Sequence, residues 1–270
     1  MTGPPNPSAL DRLDAWHGPT LQFLNSRMDH EHMNTPSPQT WIVTGASRGL
    51  GRAITLQLGK RGHRVVAIAR DVERLRALAD AAETGHVLAH PLDLADADAL
   101  GAGITALLQQ YPHIDGLINN AGIGAYRSLV EHSDTELRDI IQVNLTASIQ
   151  LCRAVLPGML MHRAGHIVNI GSDLGRRPLA NMAAYVASKH GLTGFSHSLL
   201  REVKDSGVRV SLINPGIIDT DFGGGSEGSR DPHGSLHPEA LAALVMQVIE
   251  QPGSLLIDEV SVHPLGQQSF

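Results

Sequence analysis

From residue 39 onward, short apolar runs alternate with segments of helical period. Residues 41–44 form the first apolar, β-branched run, and the spacing over 50–60 predicts a helix directly behind it. The alternation then repeats. Strands are expected at 64–69, 86–92, 117–119, 166–170, 208–213 and 255–262. Helices are expected at 72–82, 97–111, 135–161, 184–204 and 238–250, the last opening on proline at its first turn. Seven strands joined by six crossovers imply an α/β protein. Its expected form is a doubly wound, Rossmann-like parallel sheet of about seven strands with helices on both faces. Ligands in such sheets bind at the carboxyl ends of the strands, so the loops that follow them are where chemistry is sought.

Residues 1–38 break this pattern. Pro4, Pro5, Pro7, Pro19, Pro36 and Pro38 punctuate them, and no apolar period is sustained. The expectation is a disordered or loosely docked extension ahead of a single domain at 39–270. An over-long reading frame with its true start at Met28 or Met33 fits equally well. No basic stretch leads into an apolar one, so a secretory signal is not expected. The 270 residues, 42% hydrophobic, are enough for one sizeable core. A net charge of −6 provides no basic field for nucleic acid or an anionic membrane. No apolar run approaches the roughly 20 residues that cross a bilayer. The single cysteine, Cys152, allows no intrachain disulfide, which suits a cytoplasmic protein. Fifteen histidines are scattered; only His30 and His32 lie close, around Glu31, and no metal site is expected there.

The first strand runs into Thr44-Gly45-Ala46-Ser47-Arg48-Gly49-Leu50-Gly51 and then a helix. Glycines allow a tight turn and close approach to a pyrophosphate, and the helix N-terminus offers free N–H groups. A plain strand-to-helix turn would use similar residues. The second strand ends at Ala69 and Arg70, where an NAD reader would carry an acid for the ribose hydroxyl. Arg48 and Arg70 could instead clamp a 2′-phosphate; alternatively both are surface arginines and Asp71 reaches the ribose. Tyr185 and Lys189 are four apart and share a helix face. An ammonium there is expected to lower the phenol from its usual value of about 10. Ser172 follows a strand and can steady an oxygen that gains charge, though Gly171-Ser172-Asp173 also reads as a simple turn.

Taken together, residues 44–51, Asn119-Asn120-Ala121-Gly122, Asn144, Ser172, Tyr185 with Lys189, and Pro215-Gly216 stand in the order and spacing of one family. The chain from 39 to about 267 resembles the short-chain dehydrogenases/reductases. The resemblance implies an NADP(H)-dependent oxidoreductase acting on a small carbonyl or secondary alcohol. Tyr185 would be its acid/base and Ser172 its oxygen stabiliser. Lys189 would bind ribose and tune Tyr185, and Asn144 would organise a water relay. For the cofactor it implies Gly45, Ser47, Arg48, Gly49, Leu50 and Gly51 in the first loop, then Arg70, and Asp93 with Leu94 after the third strand. It adds Asn120, Ala121 and Gly122 after the fourth, Tyr185 and Lys189 themselves, and Pro215, Gly216, Ile218 and Thr220 after the sixth. Asp93 could alternatively cap the next helix.

The resemblance also implies a homodimer or homotetramer, paired through the 135–161 stretch and the Tyr185 helix. A non-catalytic NADP(H)-sensing regulator on the same fold is the alternative; it would be expected to lose Tyr185, Lys189 or Ser172. An isomerase or dehydratase would be expected to carry a substantial C-terminal substrate domain. The tail at 257–267 is more similar to a branch that includes 3-hydroxy acid dehydrogenases than to the glycine-rich ending of many members. Arg176 and Arg177 could meet a substrate carboxylate, but the ordinary expectation is solvated surface charge. The glycine-containing segment 221–237 is expected to be mobile and to act as a lid.

Overall fold

The structure is a computed structural model that describes residues 38–82 and 85–267. The proline-rich extension and the His30/His32 pair lie outside the described residues.

The strands are β1 (Thr40–Thr44), β2 (Arg64–Ala69), β3 (Val87–Pro91), β4 (Gly116–Asn119), β5 (Gly165–Ile170), β6 (Val208–Pro215) and β7 (Glu259–Val262). They form one parallel sheet in the order β3-β2-β1-β4-β5-β6-β7. The chain walks outward from β1 to β3, then restarts on the other side of β1 with β4. That reversal opens a crevice at the carboxyl ends of β1 and β4.

The helices are α1 (Gly49–Lys60), α2 (Val72–Ala81), α3 (Ala97–Gln110), α4 (Asp134–Ile141), α5 (Ala147–His162), α6 (Ala183–Val203) and α7 (Pro238–Ile249). Two cores sandwich the sheet. On one face Val43, Val65 and Ile118 pack against Leu58, Leu75 and Val245 of α1, α2 and α7. On the other, Ile42, Val66 and Leu117 pack against Leu100, Leu151 and Leu199 of α3, α5 and α6. Alternate residues of β1 thus enter opposite cores, which is why its sequence shows no polar face. Gly116 is required where β4 passes the Trp41 indole, since a Cβ there would lie 2.1 Å from the ring.

Two elements differ from expectation by more than two residues. The stretch 135–161 is not one helix: α4 gives way to a π-helical turn, Gln142–Thr146, before α5 begins. Its N-terminus is set by a capping box, the Ser133 side chain accepting from the Glu136 amide at 3.2 Å. Residues 255–258 do not join the last strand, and Leu255 and Leu256 are exposed. Among the described residues no helix is long and apolar enough to cross a membrane.

Candidate active site

A cleft of about 1080 Å³ lies at the carboxyl ends of the strands. Every residue expected to touch a cofactor lines it, as do Ser172, Tyr185 and Lys189. Asn144 is the exception, lying fully buried beneath the floor.

The loop after β1 is built for an anion. Gly45 and Gly49 adopt φ of +64° and +49°. A Cβ on Gly51 would stand 2.2 Å from the Gly45 carbonyl oxygen, so only glycine permits this turn. The turn is stapled from β4: the Asn120 amide donates to the carbonyls of Thr44 and Gly45 at 2.9 and 3.3 Å. The Thr44 hydroxyl accepts from the backbone amides of Asn120 and Ala121, both at 3.0 Å. Arg48 occupies the N-cap of α1 without capping it, and the first turn holds no acidic side chain. The free amides of that turn therefore remain open to a phosphate.

At the ribose end, Arg48, Arg70 and Arg74 all line the cleft. Asp71 lines the same cleft. Its carboxylate caps α2 by accepting from the Arg74 amide at 3.0 Å, and it pairs with the Arg74 guanidinium at 3.2 Å. Arg74 went unread in the sequence; it stands on the first turn of α2, whereas Arg70 lies ahead of that helix. Asp93 is not the cap of α3; it turns its own loop by accepting from Ala95, and Asp96 caps the helix. Asp93 stays exposed at the cleft wall, and Leu94 is buried. Three guanidinium groups beside uncapped amides fit a dinucleotide that carries a 2′-phosphate.

At the far end stands Tyr185 on the first turn of α6, with Lys189 one turn on. The Lys189 ammonium lies 5.7 Å from the Tyr185 ring centroid and donates to the Ile170 carbonyl at 2.8 Å. The expected lowering of the phenol is not what the structure shows. Burial pushes Tyr185 up to about 12, a hydrogen bond with Ser172 opposes this only in part, and the Asp173 carboxylate adds to it. Burial also pulls Lys189 down to about 8. Desolvation by the surrounding wall, invisible in a four-residue spacing, is the largest cause of that rise. The Phe222 ring lies 5.4 Å from that of Tyr185 and covers part of it.

Ser172 accepts from the Leu174 amide at 3.1 Å and donates to the Asp173 carboxylate at 3.1 Å. Its backbone N–H donates to Asn214 on β6 at 3.3 Å. The Asn214 amide donates in turn to Glu259 on β7, which also takes Arg176 in a two-armed pair and His197 at 3.0 Å. Burial pushes Glu259 up, yet Arg176 and His197 together hold it below the usual carboxylate range. Arg177 pairs with Asp173 at 2.6 Å, and Gln267 donates to the same carboxylate oxygen at 2.8 Å. Arg176 and Arg177 are thus not free surface charges. Arg176 is paired by a carboxylate that long-range folding brings to it, and Arg177 by one four residues back.

Asn144 sits on the π turn. Its carbonyl accepts from the Ile123 N–H at 2.8 Å, and its amide donates to the Ile123 carbonyl at 2.9 Å and to Ser188 at 3.0 Å. The partners are a loop and α6, not neighbouring turns of its own helix. The extra residue of a π turn rotates one side chain out of helical phase, and such turns occur often at functional sites.

The segment after β6 closes the site. The Thr220 methyl lies 2.9 Å from where a Cβ on Gly49 would stand, so Gly49 allows β6's loop to meet the phosphate turn. Buried Asp219 accepts from the amides of Gly228 and Arg230 at 3.1 and 3.3 Å. Gln267 accepts from Ile217 at 3.0 Å, tying the tail to the same loop. Neither anchor carries a local signal in the sequence.

A family model for short chain dehydrogenases matches residues 39–229. A 3-oxoacyl-[acyl-carrier-protein] reductase of Vibrio harveyi is 40% identical over 182 residues, 67% of this chain and 74% of that protein. Carbonyl reductase family member 4 of Xenopus tropicalis is 35% identical over 215 residues, 78% of this chain and 90% of that one. Among solved structures, a metagenomic short-chain oxidoreductase in complex with NADP is 39% identical with a TM-score of 0.75, covering 85% of this chain and 99% of its own. An alcohol dehydrogenase from the archaeon Thermococcus sibiricus, complexed with 5-hydroxy-NADP, is 28% identical with a TM-score of 0.80, covering 87% and 100%. With the sheet order, the glycine turn and the Ser172–Tyr185–Lys189 cluster, these likenesses place the chain in the short-chain dehydrogenase family, and it is an oxidoreductase of that family.

Proposed function

We propose that the protein is an NADP(H)-dependent reductase of neutral carbonyl compounds. The carrying observation is the layout of one cleft: Arg48, Arg70 and Arg74 at its ribose end, Ser172, Tyr185 and Lys189 at the other. NADP bound to two structural relatives supports the choice of cofactor. When bound, NADPH supplies the hydride. Tyr185 gives its proton to the oxygen of a carbonyl undergoing reduction, and burial, which raises its pKa, favours the protonated phenol this step uses. The Ser172 hydroxyl turns from Asp173 to the same oxygen and steadies it as charge accumulates. Lys189 holds ribose hydroxyls, and Asn144 fixes the loop at Ile123 and, through Ser188, the tyrosine's own helix. The complete set of four argues for catalysis over a sensing role.

The wall around Tyr185 offers Leu179, Met182 and Phe222, and Arg176 and Arg177 are already paired. That favours a ketone or aldehyde flanked by apolar groups over a keto acid. The single cysteine, Cys152, is buried and forms no intrachain disulfide, which suits the cytoplasm. The test follows loss of reduced nicotinamide with ethyl acetoacetate against acetoacetate, and with NADPH against NADH. Higher kcat/KM for the ester and for NADPH is expected. Preference for the acid would overturn the substrate assignment, and preference for NADH the cofactor assignment.

A further inference from the structure

The arginines at the ribose end are not idle. The Asp221 carboxylate accepts from Arg48 at 2.7 Å, and the Arg74 guanidinium approaches the same oxygen at 3.8 Å. These two arginines come from separate elements, the loop after β1 and the first turn of α2. They converge on one oxygen, as they would on a phosphate. Asp221 follows Thr220, whose methyl packs at Gly49, and precedes Phe222, whose ring lies against Tyr185. One carboxylate thus occupies the guanidinium pair at one end of the cleft while the next residue covers the acid/base at the other.

We propose that Asp221 is an internal stand-in for the 2′-phosphate, and that NADP(H) must displace it to engage Arg48 and Arg74. This rests on the cofactor reading above. A 2′-phosphate brought to Arg48 meets the Asp221 carboxylate already there at 2.7 Å, and like-charge repulsion makes the two compete. A cofactor with a 2′-hydroxyl brings no anion to that point and leaves the pair intact. Asp221 therefore sets how tightly NADP(H) binds without touching NAD(H). Displacement also frees the backbone next to Phe222, so arrival of the phosphate at one end loosens the cover over Tyr185 at the other.

Asp221→Asn tests this, because the shape stays and the charge goes. An exposed pair of this type shifts an equilibrium by up to about fivefold. Fluorescence titration should show NADPH binding roughly three- to fivefold tighter to Asp221→Asn, with NADH changed by less than about twofold. Unchanged or weaker NADPH binding would overturn the proposal, the latter showing a clasp that closes over the cofactor. Equal tightening of both cofactors would also overturn it, as a general loosening of the loop. Hydrogen exchange provides the second readout. In the unaltered protein, adenosine 2′-monophosphate should speed exchange in 222–230, and adenosine 5′-monophosphate should not. Failure of the 2′-nucleotide to bind at all would instead remove the cofactor reading, which keeps the two failures distinct.

Discussion

Replacing Asn144 by alanine tests whether the π turn exists to place one amide. The side chain is fully buried and makes three hydrogen bonds, two to Ile123 and one to Ser188. Each is worth about 1 kcal/mol net, and an orphaned buried partner adds about 1–3 kcal/mol. Ser188 keeps its own bond to the Tyr185 carbonyl at 2.7 Å, so the orphans are the N–H and carbonyl of Ile123. A water entering from the cleft would relieve one of them. The expected loss is thus about 4–6 kcal/mol, or roughly 8–24 °C in Tm for a domain of this size. Calorimetry measures it directly. Asn144→Asp gives a second comparison: it keeps the acceptor for the Ile123 N–H but faces the Ile123 carbonyl with an acceptor, so it should be at least as costly. Turnover should fall in both variants more than NADPH affinity does, because the disturbed loop and helix flank Tyr185. A Tm within 2 °C of the parent with full activity would show that the turn has another cause.

Tyr185→Phe removes one hydroxyl from a packed ring; NADPH should still bind, while kcat falls at least about 100-fold, the lower end of general acid/base effects. Retained turnover would refute the assignment. Burial pulls His166 down to about 3 against an ordinary 6.5, so the folded protein holds it neutral while the unfolded chain takes up a proton below pH 6.5. Stability should therefore decline as pH falls below 6.5, by about 2 kcal/mol at pH 5 from this group. Urea titrations of His166→Gln should lack that slope; an identical pH profile would remove His166 as its source. We also expect a homodimer or homotetramer, to be checked by light scattering at micromolar concentration, where a monomer would contradict it.

The alternation of strands and helices was legible because it is local: apolar runs, glycine turns and capping residues act over a few positions. The glycine turn and the Tyr185–Lys189 pair were legible for the same reason, since α-helical and turn geometry convert fixed spacings into shared faces. Other features had no local signal. Arg74, on the first turn of α2, was one of them, because Arg70 lies ahead of that helix. The π turn at Asn144 differs from a regular helix by one residue, and its cause lies in Ile123 and Ser188, 21 and 44 positions away. Arg176 reads as a surface charge until β7 brings Glu259 alongside, 83 residues further on. Gln267 reads as tail until it reaches Asp173 and Ile217. The sign of the shift at Tyr185 was decided by the same means. Spacing supplied a cation four residues away, but the protonation of a phenol depends on how much water its neighbours exclude, and only the assembled walls of the cleft determine that.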